Sequence, residues 1–384
     1  MTKLTTSFTA CTTLILLGVG VITPVNAAYI FTDLGTLGGT YYSYAYGIND
    51  NGKIVGSSSV SAYTSNYATL WNGSPITNLG GSANAYNFAY AINNDGKIVG
   101  ARDFIGDNST HHATLWSGNT ITDLGTLGGN VSYAYGINDN GKIVGMSATA
   151  QNGRLSATVW EGNTITELGT LGGALSSAVN INNSGEIVGY SGLSGSINFH
   201  ATLWEGNTIT DLGTLGGSLS QAMDINNDGK IVGYGYLSGD NATHATLWNG
   251  NTITDLGALG SSLLSGANAI NNMGQIVGSS STNGYSGLHA TLWGVDGSIT
   301  DLNNFLDASA VSTGWELSVA QGINDNGWIV GYASNSISGE QHAFLLPPCD
   351  PCVAISPSPV PAPATLALFG LGLAGLGFSR RKKA

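Results

Sequence analysis

The sequence predicts an all-β fold, a seven-bladed β-propeller built from four-stranded blades, and three observations support it. A unit of the form I-N-x-x-G-x-I-V-G occurs seven times, at spacings of 44, 45, 44, 44, 45 and 53 residues. Each repeat contains two hairpin patterns, and the repeating region begins and ends with a single unpaired strand pattern. Repeats of about 40–50 residues that each supply four strands are typical of propeller blades. The seven units begin at Ile48, Ile92, Ile137, Ile181, Ile225, Ile270 and Ile323.

The first hairpin of each repeat is predicted from its turn residues. Dipeptides such as Asn51-Gly52 and Asp228-Gly229 separate short apolar runs and accept the positive φ angles of tight hairpin turns. The Ile-Val pair that follows each turn is β-branched, which favours a strand.

The second hairpin joins a unit of the HATLW type to one of the T-[DNE]-L type. One example runs from His112 through the turn at Trp116 to Leu124. The HATLW-type units begin at Tyr67, His112, Ser156, His200, His244, His289 and His342. With the first hairpin, this unit brings each repeat to four strands.

The two ends of the repeating region predict how the ring closes. The N-terminal strand pattern, Tyr29 to Leu34, lacks a partner, and so does the C-terminal one, His342 to Leu346. Pairing them in one blade closes the ring and removes a free sheet edge. The alternative, an open β-solenoid or β-sandwich array, needs capping repeats instead.

The repeat units resemble the HAF-repeat extracellular family, whose name matches His342-Ala343-Phe344. The resemblance spans residues 31–346. It implies an exported bacterial repeat protein without an established enzymatic chemistry.

The N-terminal segment, residues 1–27, is predicted to be a signal peptide. Lys3 supplies the positive charge, Thr13 to Ile22 the apolar run, and Val25 and Ala27 the small residues before a cleavage site at Ala28. We therefore expect signal peptidase to act on the chain. The alternative is an uncleaved anchor, but the apolar run is shorter than the ~20 residues of a membrane span. The propeller is predicted to occupy residues 28–346.

The C-terminal region has a Pro/Ser-rich linker, residues 347–363, and an apolar sorting or anchor segment with a basic end, residues 364–384. Its order resembles a PEP-CTERM sorting domain, with Pro361, Ala362 and Pro363 before the apolar run and Arg380-Arg381 after it. The resemblance implies transient membrane anchoring and processing by an exosortase in a Gram-negative bacterium that makes exopolysaccharide. Ala362 stands where the motif has Glu, and the alternative is a plain C-terminal membrane anchor.

These signals predict a secreted or cell-surface protein that passes through the inner membrane and periplasm. The charge agrees with that location and excludes nucleic acid as a partner. Without its two ends, the chain has six basic and 23 acidic residues, which gives a formal charge of −17. This negative charge repels a polyanion.

Most chemically active side chains occur in symmetric positions. Five of the six His residues fill one repeat position, and a repeated residue is more typical of blade packing than of catalysis. The Trp residues of the HATLW units are expected to pack between blades. No cofactor is predicted; Ca²⁺ at the Asx-rich turns is a minor alternative to ordinary turn formation. Cys349 and Cys352 form a candidate disulfide, with free or interchain thiols as the alternative.

Departures from symmetry indicate a candidate ligand-binding rim. Blades one to three carry aromatic residues where later blades have small ones, and the longest interblade link contains a Trp. Exposed aromatic rings beside Asn and Ser suit stacking on sugars, although alternate tyrosines can also be core residues. The candidate rim comprises Tyr41, Tyr42, Tyr44, Tyr86, Tyr133 and Trp315.

The sequence thus predicts an exported, non-enzymatic surface or extracellular-matrix protein that binds exopolysaccharide or a surface protein on one propeller rim. The alternative is a polysaccharide-acting hydrolase or lyase on the same scaffold, since a fold does not determine an activity. A structural surface-layer component without a ligand is a third hypothesis.

Overall fold

The computed structural model describes residues 29–38, 41–60, 66–80, 87–103, 110–150, 153–284 and 286–348. Seven antiparallel sheets of four strands each follow one another along the chain. The predicted seven-bladed propeller is therefore confirmed, and the solenoid and sandwich alternatives are excluded.

The N-terminal strand β1 (Thr32–Asp33) belongs to the last blade. Blades 1 to 3 contain, in chain order, β2 (Ser43–Ile48), β3 (Ile54–Ser59), β4 (Asn66–Trp71), β5 (Thr77–Asn78), β6 (Phe88–Ile92), β7 (Ile98–Asp103), β8 (His111–Ser117), β9 (Thr120–Asp123), β10 (Gly128–Ile137), β11 (Ile143–Thr149), β12 (Leu155–Glu161) and β13 (Thr164–Glu167). Blades 4 and 5 contain β14 (Gly172–Ile181), β15 (Ile187–Leu193), β16 (Phe199–Glu205), β17 (Thr208–Asp211), β18 (Gly216–Ile225), β19 (Ile231–Leu237), β20 (Thr243–Asn249) and β21 (Thr252–Gly257). Blades 6 and 7 contain β22 (Ser265–Ile270), β23 (Ile276–Asn283), β24 (Ser286–Trp293), β25 (Ile299–Asp301), β26 (Trp315–Ile323), β27 (Ile329–Asn335) and β28 (Gln341–Leu346).

Ring closure occurs in blade 7, as predicted. Strand β1 pairs with β28, with Thr32 opposite Leu345 and Asp33 opposite Phe344. The order β1-β28-β27-β26 completes the seventh sheet with a strand from the other end of the chain. Trp71 of blade 1 then packs against Val330 and Ala343 of blade 7, which seals the ring.

The glycine of each I-V-G unit is required by a bulge in the innermost strand. In blade 1 the register shifts between Ala45 and Gly47, and this bulge brings the Tyr44 carbonyl close to β3. A Cβ on Gly56 would lie only 1.8 Å from that carbonyl oxygen. The equivalent distance is 1.9 or 2.0 Å in the other six blades, so a larger residue at this position must displace the innermost strand.

The core consists of similar apolar clusters between successive blades. Trp116 of blade 2 packs with Val55 and Ala68 of blade 1, and its Nε1 donates to the Leu79 carbonyl at 3.0 Å. Trp204 of blade 4 makes the corresponding contacts with Val144 of blade 3. The predicted position of these Trp residues between blades is confirmed.

The I-N units tie the blades together at the end of the channel where the first two strands of each blade turn. Each Asn side chain donates from Nδ2 to the backbone carbonyl of the corresponding Asn in the next blade, at 3.0–3.2 Å. The seven bonds form a closed circle, and we call these residues the asparagine ring: Asn49, Asn93, Asn138, Asn182, Asn226, Asn271 and Asn324.

The long link before β26 folds into a 3₁₀ turn, Leu302–Phe305, and a short helix α1, Ala308–Ser312. The Asp307 side chain accepts a hydrogen bond from the Ala310 amide at 2.7 Å and so caps α1. No helix in the described part of the chain is both long and apolar enough to cross a membrane.

Candidate functional site

The innermost strands of the seven blades line an axial channel with two compartments. The turn-end compartment, about 410 Å³, is lined by the Ile-Asn-Asx residues of every blade. The second, which we call the channel compartment, has a volume of about 330 Å³ and lies deeper along the same strands. Isoleucines such as Ile48 and Ile137 line both compartments and form the apolar boundary between them.

The turn-end compartment is nearly symmetric, and its polar groups bond to one another. The backbone amide after each ring Asn donates to an Asx side chain of the next blade, for example Asp325 N to Asp50 Oδ1 at 3.0 Å. Its three carboxylates, Asp50, Asp139 and Asp325, also accept bonds from Asn side chains. These groups serve blade cohesion. Across the described residues, no group of three or more His, Cys, Asp or Glu is placed to hold a metal ion.

The channel compartment is asymmetric. Its lining carries tyrosines in blades 1 to 3, whereas blades 4 to 7 contribute polar side chains together with the apolar Val179 and Met223. The aromatic positions are Tyr46, Tyr90 and Tyr135, and the polar ones are Asn180, Asp224, Asn268 and Gln321. Because blades 2 and 5 lie on different sides of a seven-membered ring, Tyr90 and Asp224 line opposite sides of the cavity.

The aromatic side is continuous. Rings two residues apart along one strand stack, as Tyr44 does with Tyr46 at a centroid distance of 6.4 Å and an interplanar angle of 5°. Between blades, Tyr90 lies 5.7 Å from Tyr46 and 5.3 Å from Tyr135, with tilts of 46° and 57° that curve the surface around the channel. We call this set the aromatic wall: Tyr42, Tyr44, Tyr46, Phe88, Tyr90, Tyr133 and Tyr135.

The aromatic wall contributes neutral phenols. Burial raises the pKa of Tyr44 to about 12 and raises the pKa of Tyr90 well above its usual value. Tyr44 and Tyr90 therefore present π faces and uncharged hydroxyl groups across the physiological pH range.

Asp224 supplies the one carboxylate among the described residues that line the channel compartment. Its Oδ1 accepts hydrogen bonds from Asn180 Nδ2 at 2.5 Å and from the Ile225 amide at 2.8 Å, and its Oδ2 accepts from the Ile270 amide at 2.8 Å. Burial raises the pKa of Asp224 to about 7, and these three hydrogen bonds only partly offset that effect.

Sequence reasoning missed Asp224 and Asn180, although a signal for them was present. The residue before the repeat Ile is Gly or Ala in the other five blades, as in Gly47 and Ala91, but Asn180 in blade 4 and Asp224 in blade 5. A polar side chain at a repeat position that is Gly or Ala in the other blades therefore indicates the polar side of the channel compartment.

The predicted rim residues fall into different places. Tyr41, Tyr42 and Tyr44 lie together, with ring centroids 6.1 Å and 6.4 Å apart, and Tyr44 Oη donates to Gln341 Oε1 at 2.7 Å. Tyr133 stacks on Tyr135, 6.1 Å away, in the same aromatic wall.

Trp315 lies instead against His342 and Phe31 of blade 7, at ring distances of 5.0 Å and 6.3 Å. Some predicted residues fall outside the described part of the chain: Tyr86, Cys349, Cys352, Pro361, Ala362, Pro363, Arg380 and Arg381.

The repeated His residues have partners within their blades. In each of five blades the His Nδ1 lies 2.6–2.9 Å from a carboxylate oxygen of the outermost strand. In blade 7 this pair joins His342 to Asp33 and so reinforces ring closure. The His positions therefore serve blade assembly.

Comparison with known proteins adds a sorting signal and a fold. A family model described as the PEP-CTERM protein-sorting motif matches residues 359–382, which confirms the predicted motif. The motif implies recognition by an exosortase-type sorting enzyme and export through the envelope of a Gram-negative bacterium. A search of curated proteins finds no match to this chain.

Several solved structures are similar to this chain at low sequence identity. The β-propeller domain of the Trilobed protease from Pyrococcus furiosus, described as having an open velcro topology, is 12% identical with a TM-score of 0.50, over 79% of this chain and 95% of that one. TolB from Acinetobacter baumannii is 12% identical with a TM-score of 0.44, over 79% of this chain and 63% of that one. Trypanosoma rangeli sialidase is 12% identical with a TM-score of 0.37, over 80% of this chain and 55% of that one. The likeness to the Pyrococcus furiosus domain shows the fold alone.

Proposed function

We propose that this protein is an exported, non-enzymatic surface or extracellular-matrix protein that binds exopolysaccharide in its axial channel. The observation that carries the proposal is the asymmetric channel compartment, where an aromatic wall faces Asn180, Asn268 and Gln321. Stacked rings favour contact with the apolar faces of sugars, and amides orient their hydroxyl groups through hydrogen bonds. Its volume of about 330 Å³ falls within the usual range of ligand pockets.

The location supports this ligand class. A PEP-CTERM motif at residues 359–382 marks the chain for sorting during export. The acidic propeller, with few cationic side chains, suits a neutral or cationic polymer better than a polyanion. The resemblance of the repeats to the HAF-repeat extracellular family is part of the same proposal. Transient anchoring by residues 364–384 would hold the propeller at the membrane until the tail is processed.

Binding is tested by titrating the purified exported protein with the exopolysaccharide of its host and with oligosaccharides released from that polymer. We expect saturable binding that Tyr90→Leu weakens at least tenfold, because Tyr90 contacts the aromatic rings on both sides of it. Tyr236→Leu in β19 is the matched control, since Tyr236 is a partly buried tyrosine that does not line the channel compartment. Equal binding by both variants would place the ligand elsewhere.

The same samples test the enzymatic alternative. If the protein shortens the polymer or releases new reducing or unsaturated ends, the binding proposal is replaced by a polysaccharide hydrolase or lyase. Hydrolysis commonly uses two carboxyl groups, so Asp224 would then need a second acid or base brought by movement or by substrate.

Sorting is tested by mass spectrometry of the protein recovered from membranes and from the culture matrix. A matrix form that begins at Ala28 and ends near Pro361 is expected. A matrix form with an intact tail would contradict processing, and a protein confined to the membrane would favour a plain anchor.

A further inference from the structure

The charges that line the channel compartment indicate the chemical class of its ligand, and this inference rests on the proposed binding site. Among the described residues that line the compartment there is a carboxylate, Asp224, but no Lys, Arg or His. The hydrogen bonds to this carboxylate come from one side-chain amide and two backbone amides, which are neutral donors. A buried carboxylate is most stable beside a positive charge. Above about pH 7, where Asp224 is ionised, the compartment therefore holds a negative group whose counter-ion is not supplied by its lining.

The opposite side of the compartment is suited to the same kind of guest. Tyr46, Tyr90 and Tyr135 form a curved surface, because neighbouring rings are tilted by 46° and 57° at separations of 5.7 Å and 5.3 Å. The faces of aromatic rings attract cations, and curved sets of such rings bind alkylated ammonium groups. The high pKa values of these tyrosines keep them as neutral rings when a cation enters.

The Asp224 carboxylate can also accept further hydrogen bonds. A carboxylate offers about four acceptor sites. Within the described residues, Oδ1 accepts two hydrogen bonds and Oδ2 accepts one, from Ile270. Oδ2 can thus accept an N–H of a guest, or lie beside a quaternary ammonium group.

We propose that the channel compartment is a site for an organic ammonium cation, held between the tyrosine faces and the Asp224 carboxylate. In an exopolysaccharide such a group is a sugar with a free amine or a quaternary ammonium substituent. The same chemistry is shared by small free cations, and the experiment below separates these sources.

Charge selectivity is measured with two pairs of probes. The first pair is choline and its uncharged carbon analogue 3,3-dimethylbutan-1-ol, and the second is glucosamine and glucose. NMR-detected titrations of the exported protein are expected to show each cation binding at least tenfold more tightly than its neutral partner. Tighter binding of choline alone would identify a quaternary group, and tighter binding of glucosamine alone would identify an amino sugar.

Two substitutions locate the charge. At pH 8, Asp224→Asn is expected to reduce the preference for choline over its neutral analogue severalfold, and the cation–π contacts of the tyrosines account for the preference that remains. Asp228→Asn is the matched control, because it removes the same charge from an exposed turn of the same blade. Retention of the full preference in Asp224→Asn would overturn the proposal and assign the selectivity to other carboxylates.

A third variant keeps the proposal testable if Asp224→Asn does not fold. If circular dichroism shows that Asp224→Asn does not fold, Tyr90→Leu is used, and it is expected to weaken choline binding about tenfold by removing a cation–π contact. Unchanged choline binding in Tyr90→Leu would overturn the proposal.

The outcomes distinguish this inference from the proposed function. Exopolysaccharide binding without any preference for cationic probes contradicts the ammonium site and leaves the glycan-binding function standing. Selective binding of choline without binding of the polymer contradicts the glycan-binding function and supports the ammonium site.

Discussion

The asparagine ring gives the sharpest test of how the propeller is held together. Asn226 is 4% exposed, and its side chain makes three hydrogen bonds. Its Nδ2 donates to the Asn271 carbonyl at 3.1 Å, and its Oδ1 accepts from the Asp228 and Lys230 amides at 3.1 Å and 3.0 Å. Asn226→Ala thus leaves one carbonyl and two amides without these partners.

The expected loss follows from the cost of such groups. A buried polar group that loses its partner costs about 1–3 kcal/mol. Water at the channel mouth can rehydrate part of the exposed backbone, so we expect Asn226→Ala to lower the free energy of unfolding by about 2–4 kcal/mol. Urea denaturation followed by tryptophan fluorescence measures this change, provided that the dependence on urea concentration stays the same.

The adjacent residue supplies the control. Asn227 is exposed, and its Oδ1 accepts one bond, from the Asn183 amide at 3.0 Å. Asn227→Ala should therefore cost less than about 1 kcal/mol. If the two variants lose the same stability, or if Asn226→Ala matches the wild type within about 0.5 kcal/mol, the cohesive role of the ring is refuted.

Three further predictions concern the bulge, the buried carboxylate and ring closure. Gly189→Ala should lower the thermal midpoint of unfolding sharply, because its Cβ would lie 2.0 Å from the Ser177 carbonyl oxygen. Gly266→Ala is the control and should change the midpoint little, because the nearest atoms to its Cβ would be 3.9 Å away. Equal shifts in the two variants would contradict the close approach at Gly189. Because burial raises the pKa of Asp224 to about 7, the folded state binds more protons than the unfolded state between about pH 4 and 7, so wild-type stability should fall as the pH rises through this range. Asp224→Asn should reduce the difference between urea midpoints at pH 5 and pH 8, and an unchanged difference would show that other groups cause it. Deletion of residues 28–34 removes β1 and exposes an edge of β28, so light scattering should show self-association that the wild type lacks, and a stable monomer would argue against this closure.

The sequence was sufficient for the architecture because each blade is a local unit. The turn glycines have positive φ angles, as Gly52 and Gly229 show with values of 76° and 77°, and they lie between strands as predicted. Ring closure was also predictable, because a repeat that lacks its last strand and a chain that begins with a spare strand can complete each other.

The asparagine ring was not predictable from local pattern. Turn formation alone explains an Asn at this position, since Asn226 Oδ1 does bond within its own turn. Its second role joins Asn226 to Asn271 in the next blade, and only the curvature of a closed ring brings these groups together.

The candidate site was predicted in part. The aromatic excess in blades 1 to 3 indicated the aromatic wall, in which Tyr44 and Tyr133 stack on the channel-lining Tyr46 and Tyr135. The opposite side depends on Asn180 and Asp224, single departures at a position that is small in other blades. Trp315 was grouped with the tyrosines because of its long link, but β26 directs its ring toward Phe31 and His342.

The central claim is that the axial channel binds the ligand of this exported propeller. The most direct measurement is a crystal structure of the exported protein with the smallest oligosaccharide that competes with exopolysaccharide for binding. We expect a sugar between Tyr90 and Asp224 in the channel compartment. A sugar bound on an outer strand or at the turn-end compartment, with the channel compartment empty at saturation, would contradict it.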